Sequence, residues 1–340
     1  MKIIINSFLY PISILFKIIV FIKNYCFDNV LKSNQLPCFV ISVGNITVGG
    51  TGKTPMVLYL CKTFQKHNQY KIGVLSRGYK RHTKGTILVS KGNGPIQNWE
   101  SVGDEPFMMA KKTKNIPIVV DSNRYRAGQF LIKNFGTEII ILDDGFQHRF
   151  LSRDLDIVMI NGNTPPSDYK YFPAGNLREG WESIRRADAV IFTKNKPRSF
   201  LLNKIKKTNI PFFNSKLKSF ILFPKNPPKR EVKNLKGKKV VLLCGIGDPK
   251  SFEKTIESYD CIVKGLKFFR DHYFYNKKNI SKIIEFAKIK KANYILTTEK
   301  DWVKIEPFQP DFPFIIIQIE IEILEKNKMN TLIKDHIKIN

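Results

Sequence analysis

Acidic residues are scarce in this chain: 29 Asp and Glu stand against 57 Lys and Arg over 340 residues, a formal net charge of +28. That imbalance points to an anionic partner, whether nucleic acid, an acidic membrane face or a phosphorylated substrate. Nucleic acid is set aside, because there is no Arg-rich tract and no RNA-binding aromatic signature. Lysines acting as plain surface filler account equally well for the bulk of the charge. Cysteine is sparse and odd in number, at Cys26, Cys38, Cys61, Cys244 and Cys261, with no CxxC pair. This excludes a disulfide scaffold and a zinc site and leaves reduced thiols of a cytoplasmic protein. The five histidines lack metal-ligand spacing as well. No internal repeat of fixed period is present, so solenoids and propellers are excluded. A hydrophobic share of 43% excludes general disorder. The length suffices for two domains with buried cores.

Long apolar runs are confined to the N-terminus. Residues 1–27 are mostly apolar, interrupted by Pro11 and Lys17 and followed closely by Lys23. No small-residue cleavage motif follows, so a removed signal peptide is not expected. A bilayer crossing needs about 20 predominantly apolar residues. A Lys near the middle costs about 2.5–3.5 kcal/mol on insertion scales. The segment therefore reads as a spanning anchor, as an apolar helix lying in the interface, or as a helix packed on the protein's own core. Membrane contact is the expectation.

The most informative stretch is Gly49-Gly50-Thr51-Gly52-Lys53-Thr54. It follows an apolar run at 39–43 and precedes a helix-like segment at 56–64. A strand, a Gly-rich loop ending Gly-Lys-Thr and a helix form the phosphate-binding P-loop arrangement. Glycines let backbone N–H groups curl around phosphate oxygens, and the helix N-terminus adds its positive dipole end. In such a loop Lys53 reaches the β- and γ-phosphates and the Thr54 hydroxyl ligates Mg²⁺. Thr47 stands where the usual spacing has the first glycine.

Strand candidates at 71–76, 86–90, 116–120, 138–142, 155–160 and 189–193 alternate with helices at 106–112 and 124–133. That alternation predicts an α/β fold with a doubly wound parallel sheet. Pro- and Lys-rich residues 194–233 read as a connecting region. The pattern restarts with strands at 239–244 and 294–297, a further segment at 261–268, and helices from Asp248-Pro249 to 258 and over 279–290. This predicts a second, smaller α/β unit. The expected division is an apolar helix over 1–30, a P-loop core over 31–225 and the smaller unit over 226–340. Gly245-Ile246-Gly247 lacks a third glycine and reads as a structural βα turn in preference to a phosphate-binding one.

A P-loop enzyme needs an acid at the end of a nearby strand for Mg²⁺. Four apolar residues and then Asp143-Asp144 supply that at the carboxyl edge of a parallel strand. Gly103-Asp104-Glu105-Pro106 reads alone as a capping motif. Arg178-Glu179 reads as a phosphate clamp or as a solvated surface pair. Asp271-His272 reads as a proton-transfer pair or as a packed histidine. Thr298-Glu299-Lys300-Asp301 is like the base-reading tetrad of GTPases, although the DxxG switch spacing is absent.

Taken together, these words resemble the tetraacyldisaccharide 4'-kinase family, the lipid A 4'-kinases of Gram-negative bacteria. The resemblance runs from Pro11 to about Lys304. It rests on the stretch from Val43 to Pro55, Leu75-Ser76-Arg77-Gly78-Tyr79, Gly103-Asp104-Glu105-Pro106 and Asp143-Asp144-Gly145-Phe146-Gln147-His148. Further on it rests on Arg153-Asp154-Leu155-Asp156, the stretch from Pro173 to Glu179, Phe269-Arg270-Asp271-His272 and Thr297-Thr298-Glu299-Lys300-Asp301. Thr47 fits the family's own loop, and Gly180 departs from an expected Pro.

The resemblance implies a membrane-associated P-loop kinase on the cytoplasmic face of the inner membrane. It would transfer the γ-phosphate of ATP to the 4'-hydroxyl of a tetraacyldisaccharide 1-phosphate, as a monomer. ATP would sit on Thr47, Val48, Gly49, Gly50, Thr51, Gly52, Lys53 and Thr54. Mg²⁺ would be set by Thr54, Asp143, Asp144 and Glu179. Asp104 and His272 match the family's Asp–His pair, with Lys53, Asp144 and Arg178 also in catalysis. The pair spans the two units, so domain closure is expected to bring it together. The alternative is a membrane-bound GTPase or ATPase switch. A non-catalytic basic binding module is a third reading.

Overall fold

The computed structural model describes residues 2–67, 69–194, 196–224 and 234–339. The expected boundary at 225/226 lies outside the described residues. In chain order the elements are α1 (Lys2–Asn29), β1 (Phe39–Gly44), α2 (Lys53–His67), β2 (Ile72–Ser76), β3 (Ile87–Ser90), α3 (Trp99–Val102), α4 (Asp104–Lys112), β4 (Ile118–Val120) and α5 (Arg124–Phe135). There follow β5 (Ile139–Asp143), β6 (Leu155–Asn161), β7 (Ala189–Thr193), α6 (Ser199–Lys206) and β8 (Phe212–Leu222). The last third holds β9 (Lys239–Cys244), α7 (Pro249–Glu257), β10 (Ile262–Phe268), α8 (Lys277–Ile289), β11 (Tyr294–Thr298), α9 (Glu299–Ile305), β12 (Phe314–Ile323) and α10 (Lys326–Ile339).

The strands form one sheet in the order β10-β9-β11-β12-β8-β7-β6-β1-β5-β2-β4-β3. Every pairing is parallel except β8 with β12 and β3 with β4. Central strands such as β1 (Phe-Val-Ile-Ser-Val-Gly) are buried at every position, as parallel strands covered on both faces must be. Ile41 and Val43 pack with Met56 and Leu60 of α2, while Val40 packs with Leu131 of α5 on the other face. Alternate side chains thus serve two cores. Chain order reverses at β1, which has β5 on one side and β6 on the other. This is the topological switch point at which open α/β sheets bind ligands beyond the strand carboxyl ends.

Residues 194–233 are more structured than their composition implies, because α6 and β8 lie within them. Two further elements, β12 and α10, were not expected from the sequence. β12 starts in the smaller unit, beside β11, and ends with Ile321 and Ile323 in the core that holds Val43 and Met56. Met329 and Ile333 of α10 pack in that same core.

Candidate active site

The loop after β1 is shaped by its glycines. A Cβ on Gly44 would collide with Phe146. Gly49 (φ 102°) and Gly52 (φ 87°) lie where side-chain-bearing residues rarely go. A Cβ placed on Gly49 or Gly50 would meet nothing within 4 Å, so the loop backbone borders open space. The loop is held from below: Asn45 Nδ2 donates to Thr51 Oγ1 (3.0 Å), Thr193 Oγ1 to Thr51 O (3.0 Å), and Val48 N to Asn176 O (2.7 Å). Thr47 bridges to Leu177 in the same segment. Lys53 and Thr54 open α2, so the loop leads straight into a helix N-terminus.

β5 lies beside β1 in register, Val43 against Asp143, which puts both acids next to the loop. Lys53 Nζ is 3.4 Å from Asp144 Oδ1. Arg178 Nη1 donates to both Asp144 oxygens at 3.0 Å. Burial alone would raise the Asp144 carboxyl, but Lys53 and Arg178 outweigh it and hold it low. Asp143 behaves oppositely. Burial, then the charges of Glu105 and Asp144, push it up to about 7 against Lys53 and a hydrogen bond from Ser76 (3.1 Å). Its Oδ1 is buried with no hydrogen-bond partner. An orphaned carboxylate oxygen beside a second acid fits a hard divalent cation. Glu179 is buried but ion-paired with Arg186.

The second cluster joins the two parts of the chain. Asp104, at the start of α4, and His272, after β10, are 168 residues apart, yet His272 Nδ1 is 3.0 Å from each Asp104 oxygen. No closure is needed to make this contact, contrary to the expectation from sequence, because α9 is already docked on α4. Lys112 pairs with Glu299 (2.8 Å), Lys300 with Glu105 (3.0 Å), and Lys111 with Glu306. Burial would raise the Asp104 carboxyl, but the His272 hydrogen bond and the charges of Lys300, His272 and Lys304 hold it at about 2. Gly247 ties this cluster to the loop: a Cβ there would lie 3.3 Å from Asp271 Oδ2 and 3.9 Å from Gly49 Cα.

Four contributors were not singled out for chemistry from the sequence: Ser76, Arg186, Lys300 and Lys304. Lys300 and Lys304 stand four apart, on one face of α9. That spacing was the available signal. Asp301, the base-reading candidate of the GTPase alternative, is fully buried and accepts from Gly245 N (2.9 Å), Thr298 Oγ1 (2.8 Å) and Tyr275 Oη (3.1 Å). It is structural and faces no nucleotide base.

A P-loop at the switch point, two strand-end acids and a cation pair define a P-loop NTP-dependent phosphotransferase. Residues 5–338 match the family described as tetraacyldisaccharide-1-P 4'-kinase. A tetraacyldisaccharide 4'-kinase of Halothermothrix orenii is 38% identical over 295 residues, covering 81% of this chain and 76% of the relative. One of Aquifex aeolicus is 34% identical over 331 residues, covering 96% and 98%. A crystal structure of LpxK from Aquifex aeolicus in complex with ATP superposes with a TM-score of 0.76 at 33% identity, covering 98% of this chain and 99% of that one. The chain belongs to the tetraacyldisaccharide 4'-kinase family. It is an ATP-dependent kinase of lipid A biosynthesis, and the GTPase-switch reading is set aside.

Proposed function

We propose that the Asp104–His272 pair takes the proton of the acceptor hydroxyl while the P-loop presents the γ-phosphate. The observation that carries this is the 3.0 Å Nδ1–carboxylate contact beside the loop. The acceptor oxygen forms a bond to the γ-phosphorus as the bond from that phosphorus to the β–γ bridging oxygen breaks. ADP leaves, and the hydroxyl proton passes to the pair. Lys53 and the loop amides of residues 49–54 cradle the phosphates, with Thr47 and Val48 at the base of the loop, where Val48 N is held by Asn176 O. Thr54, Asp143 and Asp144 would hold Mg²⁺, which would supply charge neutralisation to the phosphoryl group being transferred. Arg178 releases Asp144 to face phosphate, and Glu179 joins the metal set only by exchanging Arg186.

The acceptor is the 4'-hydroxyl of a tetraacyldisaccharide 1-phosphate, delivered from a membrane surface. The chain works as a monomer, with residues 226–340 as the smaller unit except for α10 and the end of β12, which pack with the P-loop core. Helix α1 supports the membrane reading. Its buried side chains Ser13, Val20 and Phe27 recur every seven residues, Phe16 packs against Phe172, and Ile12, Ile14, Leu15, Ile18, Ile19, Phe21 and Ile22 are exposed. It is pinned by Ala174 N donating to Ser13 Oγ (2.9 Å) and by Lys23 Nζ donating to Gln147 O (3.0 Å). The apolar helix lies beside the segment that carries Arg178, which supports a reading in which the enzyme works at a membrane surface, on the cytoplasmic face of the inner membrane.

The test is transfer from γ-labelled ATP to a tetraacyldisaccharide 1-phosphate in detergent micelles with Mg²⁺. Asp104→Ala and His272→Ala are expected to lower turnover by about 10²–10⁴ with the KM for ATP nearly unchanged. Full turnover at saturating ATP with a raised KM would show that the pair binds nucleotide instead.

A further inference from the structure

Lys300 is the second residue of α9, and its position is fixed by the cap at Thr298, whose hydroxyl accepts from Asp301 N (3.1 Å). Its Nζ lies 3.0 Å from Glu105 Oε1, 3.0 Å from Asp271 Oδ1 and 3.0 Å from His272 Nε2. An ammonium has three N–H donors and no acceptor. Three partners use all three donors. Glu105 and Asp271 are acidic, so Lys300 stays charged: burial lowers its proton affinity, but Glu105, Asp104 and Asp271 raise it further. Facing a charged ammonium, Nε2 of His272 can only accept. The single ring proton of a neutral imidazole then sits on Nδ1, where Asp104 receives it.

We propose that Lys300 is a positioning residue that locks His272 as the neutral Nδ1–H tautomer and thereby fixes the hydrogen bond to Asp104. The inference rests on the Asp104–His272 reading above. Among the described residues, nothing else near His272 does this. Its backbone N donates to Gly245 O (3.2 Å) and Asp271 Oδ1 (3.0 Å), which orients the main chain only. Tyr79 meets the ring edge-on at 5.0 Å between centroids. Asp271 Oδ2 lies 3.8 Å from Nε2, beyond hydrogen-bond range. Lys304 Nζ is 3.6 Å from Asp104 Oδ2 and 3.0 Å from Asp301 Oδ1, so its charge acts on the carboxylate side of the pair. Lys80 Nζ donates to the backbone O of Asp271 (3.3 Å) and leaves the ring alone. Without the Lys300 cation, Nε2 faces Asp271 with its lone pair free. Protonating it then gives an imidazolium bridging Asp104 and Asp271.

Selective ¹⁵N-histidine labelling of the full chain reads the tautomer directly, with His272→Asn assigning the signal. The wild type is expected to show a neutral ring protonated at Nδ1. In Lys300→Met the signal moves to the Nε2–H or imidazolium pattern, kcat falls, and the acidic limb of its pH profile moves up, because a cation beside the pair is gone. Lys300→Arg, still a pure donor, restores the wild-type nitrogen pattern and the pH profile. A wild-type ring that is imidazolium or Nε2–H overturns the proposal without any variant being needed. So does a Lys300→Met ring that keeps the wild-type pattern. The parent reading fails separately: if His272→Ala keeps full turnover, the pair is not catalytic, whatever its tautomer.

Discussion

Buried against Glu105 and Asp144, the Asp143 carboxyl is pushed up to about 7, with one oxygen unpartnered. In an unfolded chain it would titrate at about 3.9. Below that value both states hold the proton. Between it and about 7 the folded protein keeps a proton that the unfolded chain has lost, so this group's contribution to stability falls as pH rises. A divalent cation reverses the preference, since it binds the carboxylate and expels the proton. Mg²⁺ binding with ATP is therefore expected to release up to one proton below about pH 7, with apparent Mg²⁺ affinity climbing to that pH and levelling above it. Calorimetry in two buffers of different ionisation enthalpy measures the release, and Asp143→Asn should reduce it to what MgATP formation gives without the protein. A wild type that releases no more than MgATP alone would remove Asp143 from the metal site. At this scale the contiguous words Gly-Lys-Thr and Asp-Asp drew attention to residues that the structure brings together, whereas Asp104 read alone as a cap and was joined to His272 only by the family resemblance. Lys300 stood in a stretch that is like a base-reading tetrad and that also matches the kinase family, and neither reading gave it a role. Its partners Glu105 and His272 are 195 and 28 residues away, and no local pattern announces such a junction.

Elements with continuous apolar runs or clear caps were readable: β1, β5, and α5 with its Asn123 and Gly136 caps. β8 was not. Lys216 and Lys218 interrupt it, and Lys218 pairs across the ladder with Glu322 of β12 (2.8 Å). A strand whose charges are matched by its neighbour looks like linker until the neighbour is known. α10 was hidden by Lys, Asn and Asp on its outer face, although Met329 and Ile333 are buried. Because these two side chains share a core with β1 and α2, α10 is part of what holds the P-loop half together. Ile333→Ala is expected to cost about 2–5 kcal/mol, read as a lower denaturant midpoint at unchanged slope. The loss should appear in the transition that bound ATP protects. A variant whose ATP-protected transition stays at the wild-type midpoint would show α10 to be peripheral.

Across the whole molecule, the scarcity of acids and the outward face of α1 are two parts of one proposed design. Ile14, Ile18 and Phe21 are 45%, 48% and 68% exposed, and the stripe that fastens the helix runs through Ser13, Val20 and Phe27 instead. Removing the first three leaves the protein's own packing intact. Fully burying side chains of this kind stabilises by about 1.5–3 kcal/mol each, and a helix in the interface buries them partly. The triple change Ile14→Ser, Ile18→Ser, Phe21→Ser should therefore weaken binding to vesicles of anionic and zwitterionic lipid by at least about tenfold, at an unchanged thermal midpoint. The basic surface adds an attraction that salt screens, so added salt should release part of the wild type and nearly all of the triple variant. A helix that lies in the interface is stripped by an alkaline, high-salt wash, whereas one that spans the bilayer is not. Wild-type protein that resists the wash would overturn the interfacial reading. It would also require the stripe of Ser13, Val20 and Phe27 to part from the body, since a helix fastened along that stripe cannot cross the bilayer without taking the 172–174 loop with it.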